Sequence, residues 1–145
     1  MLLKEELQKK KYRLLLIIGK PGSGKSKYLH NYSKECGVPI INLDDILGKK
    51  IPEGKDNSYV YDFMDGFMKA YNKDEFLLDK KAIVYDKGSN IDLLSFLENL
   101  AKEKVVIATW NGYTENGKLF HLNHNQEVDF EYNLNEVDFA YIELL

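Results

Sequence analysis

One glycine-rich segment constrains the fold of this chain more than any other part of it. The segment is Gly19-Lys20-Pro21-Gly22-Ser23-Gly24-Lys25-Ser26, which matches the pattern G-x-x-x-x-G-K-[ST] at every fixed position. An apolar run of strand length, residues 13–18, precedes it. Residues 25–36 follow with a helix-compatible composition that Gly37 is placed to end. A strand, a tight glycine turn and a helix in this order predict a phosphate-binding Walker A loop.

The residue types of this loop predict a site for a nucleoside triphosphate and Mg²⁺. Glycines let successive backbone N–H groups face the phosphates, and the helix that follows adds the positive end of its dipole. Lys25 is expected to reach the β- and γ-phosphates, and the Ser26 hydroxyl to bind Mg²⁺ directly. The alternative is a glycine-rich turn that binds no nucleotide. The predicted binding residues are Gly19, Pro21, Gly22, Ser23, Gly24, Lys25, Ser26 and Lys27.

Apolar runs alternate with helical stripes along the first 110 residues. We predict strands over residues 13–18, 38–43, 82–85 and 104–110, and helices over residues 25–36, 59–71 and 91–100. The strands are apolar throughout rather than alternating, which indicates a parallel sheet with helices on both faces. Residues 1–145 are therefore predicted to form a single α/β domain, a P-loop NTPase-like three-layer sandwich.

The two ends of the chain follow other patterns. Leu2, Leu3 and Leu7 among charged residues predict a short amphipathic opening helix, and residues 48–57 resemble a loop. The Asn116-Gly117 turn signal and the alternation over residues 128–134 predict a short C-terminal hairpin with one or two late strands. Residues 137–144 are compatible with either a strand or a helix.

Acidic residues at strand ends are the candidates for metal binding and catalysis. Asp86 follows the apolar run 82–85 and is predicted to hold the water shell of Mg²⁺, so Ser26 and Asp86 form the expected metal site; the alternative is an ordinary strand-terminal aspartate. Many hydrolytic P-loop ATPases carry a glutamate after this acid, where this chain has Lys87. Hydrolysis is therefore less strongly predicted than binding.

Two further acids end the second predicted strand. Asp44 or Asp45 could act as the base of a kinase, as in polynucleotide kinases, or simply cap the following turn. The arginine content argues against the kinase, because such enzymes usually clamp phosphates with several arginines and Arg13 is the only arginine in the sequence.

The fourth predicted strand ends in polar residues. Thr109 or Asn111 could form a sensor between the γ-phosphate and the metal acid, although Asn111-Gly112 is also a turn dipeptide. The candidate catalytic residues are thus Lys25, Asp44, Asp86, Thr109 and Asn111.

Charge and composition exclude several classes of protein. With 44% apolar and 30% charged residues the chain is neither disordered nor collagen-like, and its longest apolar run is too short for a membrane helix. We see no export signal, and Cys36 is the only cysteine, so a cytoplasmic location is expected. The net charge is -3, with all Lys and Arg within residues 1–118. The acidic remainder would repel nucleic acid and gives little support for direct binding to it.

Several stretches resemble the BrxF family, the small P-loop proteins of type III BREX phage-exclusion systems. They are residues 12–19 with the glycine-rich loop, 37–43, 108–113, 117–119 and 127–132, so the resemblance covers nearly the full chain. It implies a subunit that binds ATP with Mg²⁺, beside a larger ATPase, a DNA methyltransferase and a phosphatase-like protein. Lys25, Ser26 and Asp86 match the nucleotide site.

The sequence also departs from the pattern of this family. Asn111 stands where the tryptophan turn is expected to have proline, and Lys87-Gly88-Ser89 replaces an amide and an apolar run. Three hypotheses remain open: a slow or partner-dependent ATPase subunit of a phage-defence complex, a kinase for small molecules or nucleic-acid ends, and a non-catalytic, nucleotide-sensing interaction module. The sequence does not choose an oligomeric state or a nucleotide base.

Overall fold

Parallel strands form the centre of the molecule in the computed structural model, which describes residues 7–50, 57–85 and 91–144. Within these ranges seven strands form one mostly parallel open sheet: β1 Leu14–Gly19, β2 Ile40–Asn42, β3 Glu75–Asp79, β4 Val105–Glu115, β5 Lys118–Leu122, β6 Val128–Asn133 and β7 Ala140–Glu143. The helices are α1 Lys25–Cys36, α2 Leu43–Lys50, α3 Asn57–Ala70, α4 Ala82–Tyr85 and α5 Leu93–Leu100. The predicted α/β class is confirmed.

The order of the main strands is β2-β3-β4-β1-β7, and each neighbouring pair is parallel. Successive side chains of a strand point to opposite faces, so β1 supplies both cores. Leu14, Leu16 and Ile18 join the apolar residues of α2, α3 and α5, whereas Leu15 and Ile17 pack with residues of α1. Both faces of the sheet are therefore covered by helices, as the continuous apolar runs predicted.

Helices α1 and α3 follow their sequence patterns closely. Gly37 lies just after α1 with φ 70°, a left-handed conformation that glycine adopts without strain, and its N–H donates to the Ser33 carbonyl. The predicted apolar stripe of α3 buries Val60, Met64 and Met68 in the core. The predicted opening helix falls largely on residues 1–6, which lie outside the described ranges, although Leu7 is fully buried.

The third predicted strand is wrong. Residues 82–85 form the helical turn α4, and the third strand of the sheet is β3, where Leu77 pairs with Ile40 of β2 and Ile107 of β4. The sequence holds two apolar runs that could form the third strand. Residues 76–78 take the place between β2 and β4, where they are fully buried. The buried carboxylate of Glu75 accepts a hydrogen bond from the Tyr32 hydroxyl at 2.6 Å.

Strand β4 is longer than predicted. It runs past Trp110 to Glu115 and turns at Asn116-Gly117, where both residues have positive φ, into β5 and then β6. The turn expected at Asn111-Gly112 is therefore wrong, whereas the C-terminal hairpin is confirmed. Residues 140–143 form β7 beside β1, which settles the open choice between strand and helix.

The second predicted strand ends earlier than expected. It stops at Asn42, and Leu43 begins α2, which extends to Lys50 and shortens the predicted loop. Within the described ranges, no helix has the length and apolar character needed to cross a membrane.

Candidate functional site

The glycine-rich loop joins the end of β1 to the start of α1 at the carboxyl edge of the sheet. Gly22 and Gly24 have φ of 83° and 96°, conformations that residues with a Cβ rarely adopt. At Gly19 a Cβ would lie 2.1 Å from the Ser23 Oγ, so any larger residue there would require the Ser23 side chain to move. The positive φ angles of Gly22 and Gly24 and the close contact at Gly19 therefore favour glycine at all three positions.

This loop leaves the first turn of α1 open to an anion. Gly24 occupies the N-cap position, and no described side chain caps the helix there. The Lys25 ammonium donates to the Lys20 carbonyl at 3.0 Å across the loop. Burial lowers the pKa of Lys25, and the nearby Asp79 opposes this effect. The backbone N–H groups of this first turn, the helix dipole and this ammonium together favour a phosphate.

Asp79, the last residue of β3, contacts the loop directly. Its Oδ2 accepts a hydrogen bond from the Ser26 hydroxyl at 2.8 Å, and its Oδ1 accepts one from the Thr109 hydroxyl at 2.8 Å. The Lys80 N–H also donates to Oδ1 at 3.0 Å. Burial alone would raise the pKa of Asp79, but these hydrogen bonds and the Lys81 ammonium lower it below its ordinary value. The carboxylate is therefore held ionised next to Ser26.

Lys81 extends this hydrogen-bonded network into the interior. Its Nζ donates to the Thr109 Oγ1 at 3.1 Å, and both residues are buried. Burial lowers the pKa of Lys81 to about 8, with Asp79 opposing the shift. Hydrogen bonds thus connect Ser26 of α1, Asp79 of β3, Thr109 of β4 and Lys81, which follows β3. We call these four residues the acid network.

The structure brings together only some of the predicted site residues. Lys25, Ser26 and Thr109 lie in or beside the acid network. Asn111 lies within β4, and its side chain is directed to β5 instead of the acid network. Its amide donates to the Leu122 carbonyl at 3.0 Å. Asp86 lies outside the described residues, and the strand predicted to carry it is a helix.

The two acids predicted at the end of the second strand lie in the first turn of α2. The Asp44 N–H donates to the Lys80 carbonyl at 2.9 Å, and its carboxylate is near enough to Lys81 to raise the pKa of that lysine. Asp45 is exposed. Both stand in the first turn of α2 rather than at the residue before it, which does not fit the alternative of a helix N-cap.

Two clefts flank the loop. One, of about 740 Å³, lies between residues 20–23, residues 112–115 of β4 and the end of β7. The other, of about 560 Å³, is lined by Ser26, Asp79 and a mainly basic or amide set: Lys27, His30, Asn31, Lys34, Asn42 and Lys80. The loop thus has open space on both sides.

The sequence reasoning missed Asp79 and Lys81. The run Phe76-Leu77-Leu78 ends in Asp79 in the same manner as the run 82–85 ends in Asp86, and β-branched residues favoured the second run. A signal for the first run was present, because the polar residues 72–74 before it are typical of the boundary of a strand.

Comparison of the chain with protein-family models, curated proteins and solved structures gave no significant match.

Proposed function

We propose that this chain binds ATP with Mg²⁺ at the glycine-rich loop and hydrolyses it slowly or with the help of a partner. One observation carries the proposal: the hydroxyl of Ser26, at the start of α1, lies 2.8 Å from the carboxylate of Asp79, at the end of β3, which β4 separates from β1. A hydroxyl and a carboxylate at the mouth of a phosphate-binding loop are the oxygen ligands that a phosphate-bound Mg²⁺ takes.

The donor set fits this metal. Mg²⁺ usually keeps several waters and is bound by one or two carboxylates together with substrate phosphates, so a protein cage of many acids is not needed. The described residues contain no group of three or more His, Cys, Asp or Glu arranged for a metal. Once bound, Mg²⁺ would neutralise charge on the β- and γ-phosphates. Ser26 would bind it directly and Asp79 through water.

Slow turnover is proposed because the acid has no glutamate after it. The residues after Asp79 are Lys80 and Lys81, where a glutamate would be suited to orient the attacking water. Asp44 lies near enough to Lys81 to raise the pKa of that lysine, and is a further acid beside the network. With Arg13 donating to the Lys102 carbonyl at the far end of β1, a partner would have to supply an arginine.

The test is a calorimetric titration with ATP, ADP and GTP in the presence of Mg²⁺. We expect ATP to bind, and Lys25→Ala to abolish binding because it removes the ammonium that spans the loop. Lys69→Ala is the matched control, since Lys69 is exposed on α3 and pairs with Asp65. No binding by the unmodified chain, or equal binding by the Lys25 variant, would contradict the proposal. It would favour a non-catalytic interaction module instead.

In cells we propose a role in phage defence within the bacterial cytoplasm, beside a large ATPase, a DNA methyltransferase and a phosphatase-like protein. The support is the likeness of residues 12–19, 37–43 and 108–113 to BrxF proteins. Phage protection that survives Lys25→Ala in an otherwise intact defence system would exclude an ATP-dependent role.

A kinase is the second candidate, and the 560 Å³ cleft favours it. Lys27, Lys34 and Lys80 line this cleft beside Asp79, so an anionic acceptor could lie next to the γ-phosphate. Transfer of radiolabel from ATP to small-molecule or oligonucleotide hydroxyls, lost in Asp44→Asn, would establish the kinase. Release of free phosphate without transfer would favour the ATPase.

A further inference from the structure

We propose that the 740 Å³ cleft beside the glycine-rich loop holds the base and ribose of the nucleotide, with the ring of Tyr113 as the surface on which the base stacks. The inference rests on the proposed function and deepens it, because it assigns the nucleoside to residues of this chain outside the Walker A loop.

The position of the cleft is the first argument. Residues 20–23 of the loop form one wall, so a ligand with its phosphates in the loop can extend directly into this space. The opposite wall exists because β4 continues beyond the end of β1: Gly19 pairs with Asn111, and β4 runs on to Glu115. The volume lies within the range of about 300–1,000 Å³ typical of small-molecule sites.

Tyr113 provides an aromatic surface in this wall. Its ring stacks on Phe120 of β5, with centroids 5.0 Å apart and planes 26° apart, which fixes its orientation. The Lys20 ammonium lies 5.0 Å from the centre of the same ring. Phe120 covers one face of the ring, and the ammonium of Lys20, a residue of the loop, lies over the ring as well. The face next to Lys20 is therefore the one on which a base would stack. Because Lys20 is exposed, its ammonium can move to the phosphates when a planar base takes its place.

Polar groups at the edge of the cleft are suited to a nucleoside. The Glu143 carboxylate, at the end of β7, accepts hydrogen bonds from the Thr114 N–H at 3.2 Å and from the Thr114 hydroxyl. Held in this way, it retains lone pairs for a ribose hydroxyl or an amino group of a base. A few fixed polar groups around an aromatic surface are typical of a specific small-molecule site.

The experiment separates the nucleoside from the phosphates. Affinities for Mg-ATP and for inorganic tripolyphosphate with Mg²⁺ are measured by calorimetry, and the ratio of the two dissociation constants is compared between variants. In Tyr113→Ala we expect ATP to bind about tenfold more weakly, the usual scale for loss of one base-stacking contact, with tripolyphosphate unchanged. Tyr113→Phe should keep the original ratio. Tyr141→Ala is the matched control, since Tyr141 is exposed on β7 away from the cleft.

Each outcome decides the question. A loss specific to ATP supports the cleft, and Tyr113→Leu, which keeps apolar volume without the ring, should repeat it if the alanine variant melts early. Unchanged affinities, or an equal loss for both ligands in a folded variant, would overturn the cleft assignment while leaving the phosphate site intact. If the unmodified chain binds neither ligand, the proposed function itself fails and the cleft assignment falls with it.

Discussion

At the scale of single residues, the acid network explains how a buried charge is kept beside the glycine-rich loop. Burying an ammonium away from water costs several kcal/mol unless the group is paired with an opposite charge and hydrogen-bonded. Lys81 donates to Thr109, Thr109 donates to Asp79, and Asp79 attracts the lysine. The same arrangement directs the second oxygen of Asp79 to Ser26. Asp79 is therefore oriented before any ligand arrives.

The first prediction at this scale concerns Asp79→Asn. The amide has nearly the same shape but lacks the charge that would order water around Mg²⁺, so we expect Mg²⁺-dependent ATP affinity to fall by about 10–100-fold. Binding of ATP in EDTA should change little, because Lys25 and the loop N–H groups remain. Titrations with and without Mg²⁺ measure both quantities. Asp65→Asn, an exposed change on α3, serves as the control, and a normal Mg²⁺ effect in the Asp79 variant would remove the metal role from this acid.

At the scale of elements, two segments determine the site: β3, which ends at Asp79, and the extension of β4, which walls the 740 Å³ cleft. The extension is held to β5 by side chains as well as by the ladder. The Trp110 indole donates to the Phe120 carbonyl at 3.0 Å, and the Asn111 amide donates to the Leu122 carbonyl. Gly112 comes directly after these two residues, and a Cβ there would come 1.9 Å from the Phe120 oxygen. Close approach of two backbones therefore requires glycine at this position.

The second prediction is that Gly112→Ala destabilises the protein by about 1–3 kcal/mol, because the Phe120 backbone must move to admit the methyl group. Urea denaturation measures the change. The matched control is Gly66→Ala, where a Cβ meets nothing within 4 Å and the position is inside α3. That variant should gain about 0.5–1 kcal/mol from helix propensity. If both glycine variants had equal stability, the close contact at β4 would be refuted.

At the scale of the whole molecule, the sheet order gathers the site from distant parts of the chain. Strand β1 lies between β4 and β7, and β3 lies on the far side of β4, so the carboxyl ends of all four meet at one edge. Ligands of open α/β sheets bind at this edge. Beyond this edge, His121 of β5 is buried against Trp110. Its Nδ1 forms a hydrogen bond with the carboxylate of Asp129 in β6 at 2.7 Å.

The third prediction concerns this histidine. Burial lowers the pKa of His121 below its ordinary value of 6.5, with Asp129 opposing the shift and Lys81 adding to it. The unfolded chain therefore binds more protons than the folded one as the pH falls through 6.5. Stability should be fully present above this pH and decline below it, by at most about 1.4 kcal/mol per pH unit from this group.

Urea unfolding at three pH values, one above, one at and one below the ordinary pKa of histidine, measures this dependence. His121→Asn keeps a donor for Asp129 but has no group that titrates in this window, so its slope should be smaller than that of the unmodified chain. His30→Asn is the control, because His30 is exposed on α1. Identical slopes in all three proteins would show that the buried imidazole does not control the pH dependence.

Local patterns were enough for the elements whose signals are local. The glycine-rich loop, helix α1 with its stop at Gly37, the apolar stripe of α3 and the Asn116-Gly117 hairpin turn all follow from sequence, since each depends on backbone freedom or on a period of a few residues. Parallel pairing also followed, because strands apolar on both sides must be covered on both faces. The fold class and the Lys25-Ser26 half of the candidate site were therefore predictable.

Tertiary structure decided between segments whose local sequence patterns are equivalent. Residues 76–79 and 83–86 are both apolar runs that end in aspartate, and only the space between β2 and β4 determined that Asp79 would face Ser26. The continuation of β4 past Asn111 was likewise decided by its contacts with β5. The energy of strand pairing depends on which strands lie next to a given segment, and those strands come from residues far apart in the chain. The sequence by itself determined a glycine-rich loop between a strand and a helix of an α/β fold, and the tertiary structure decided which acid lies beside Ser26.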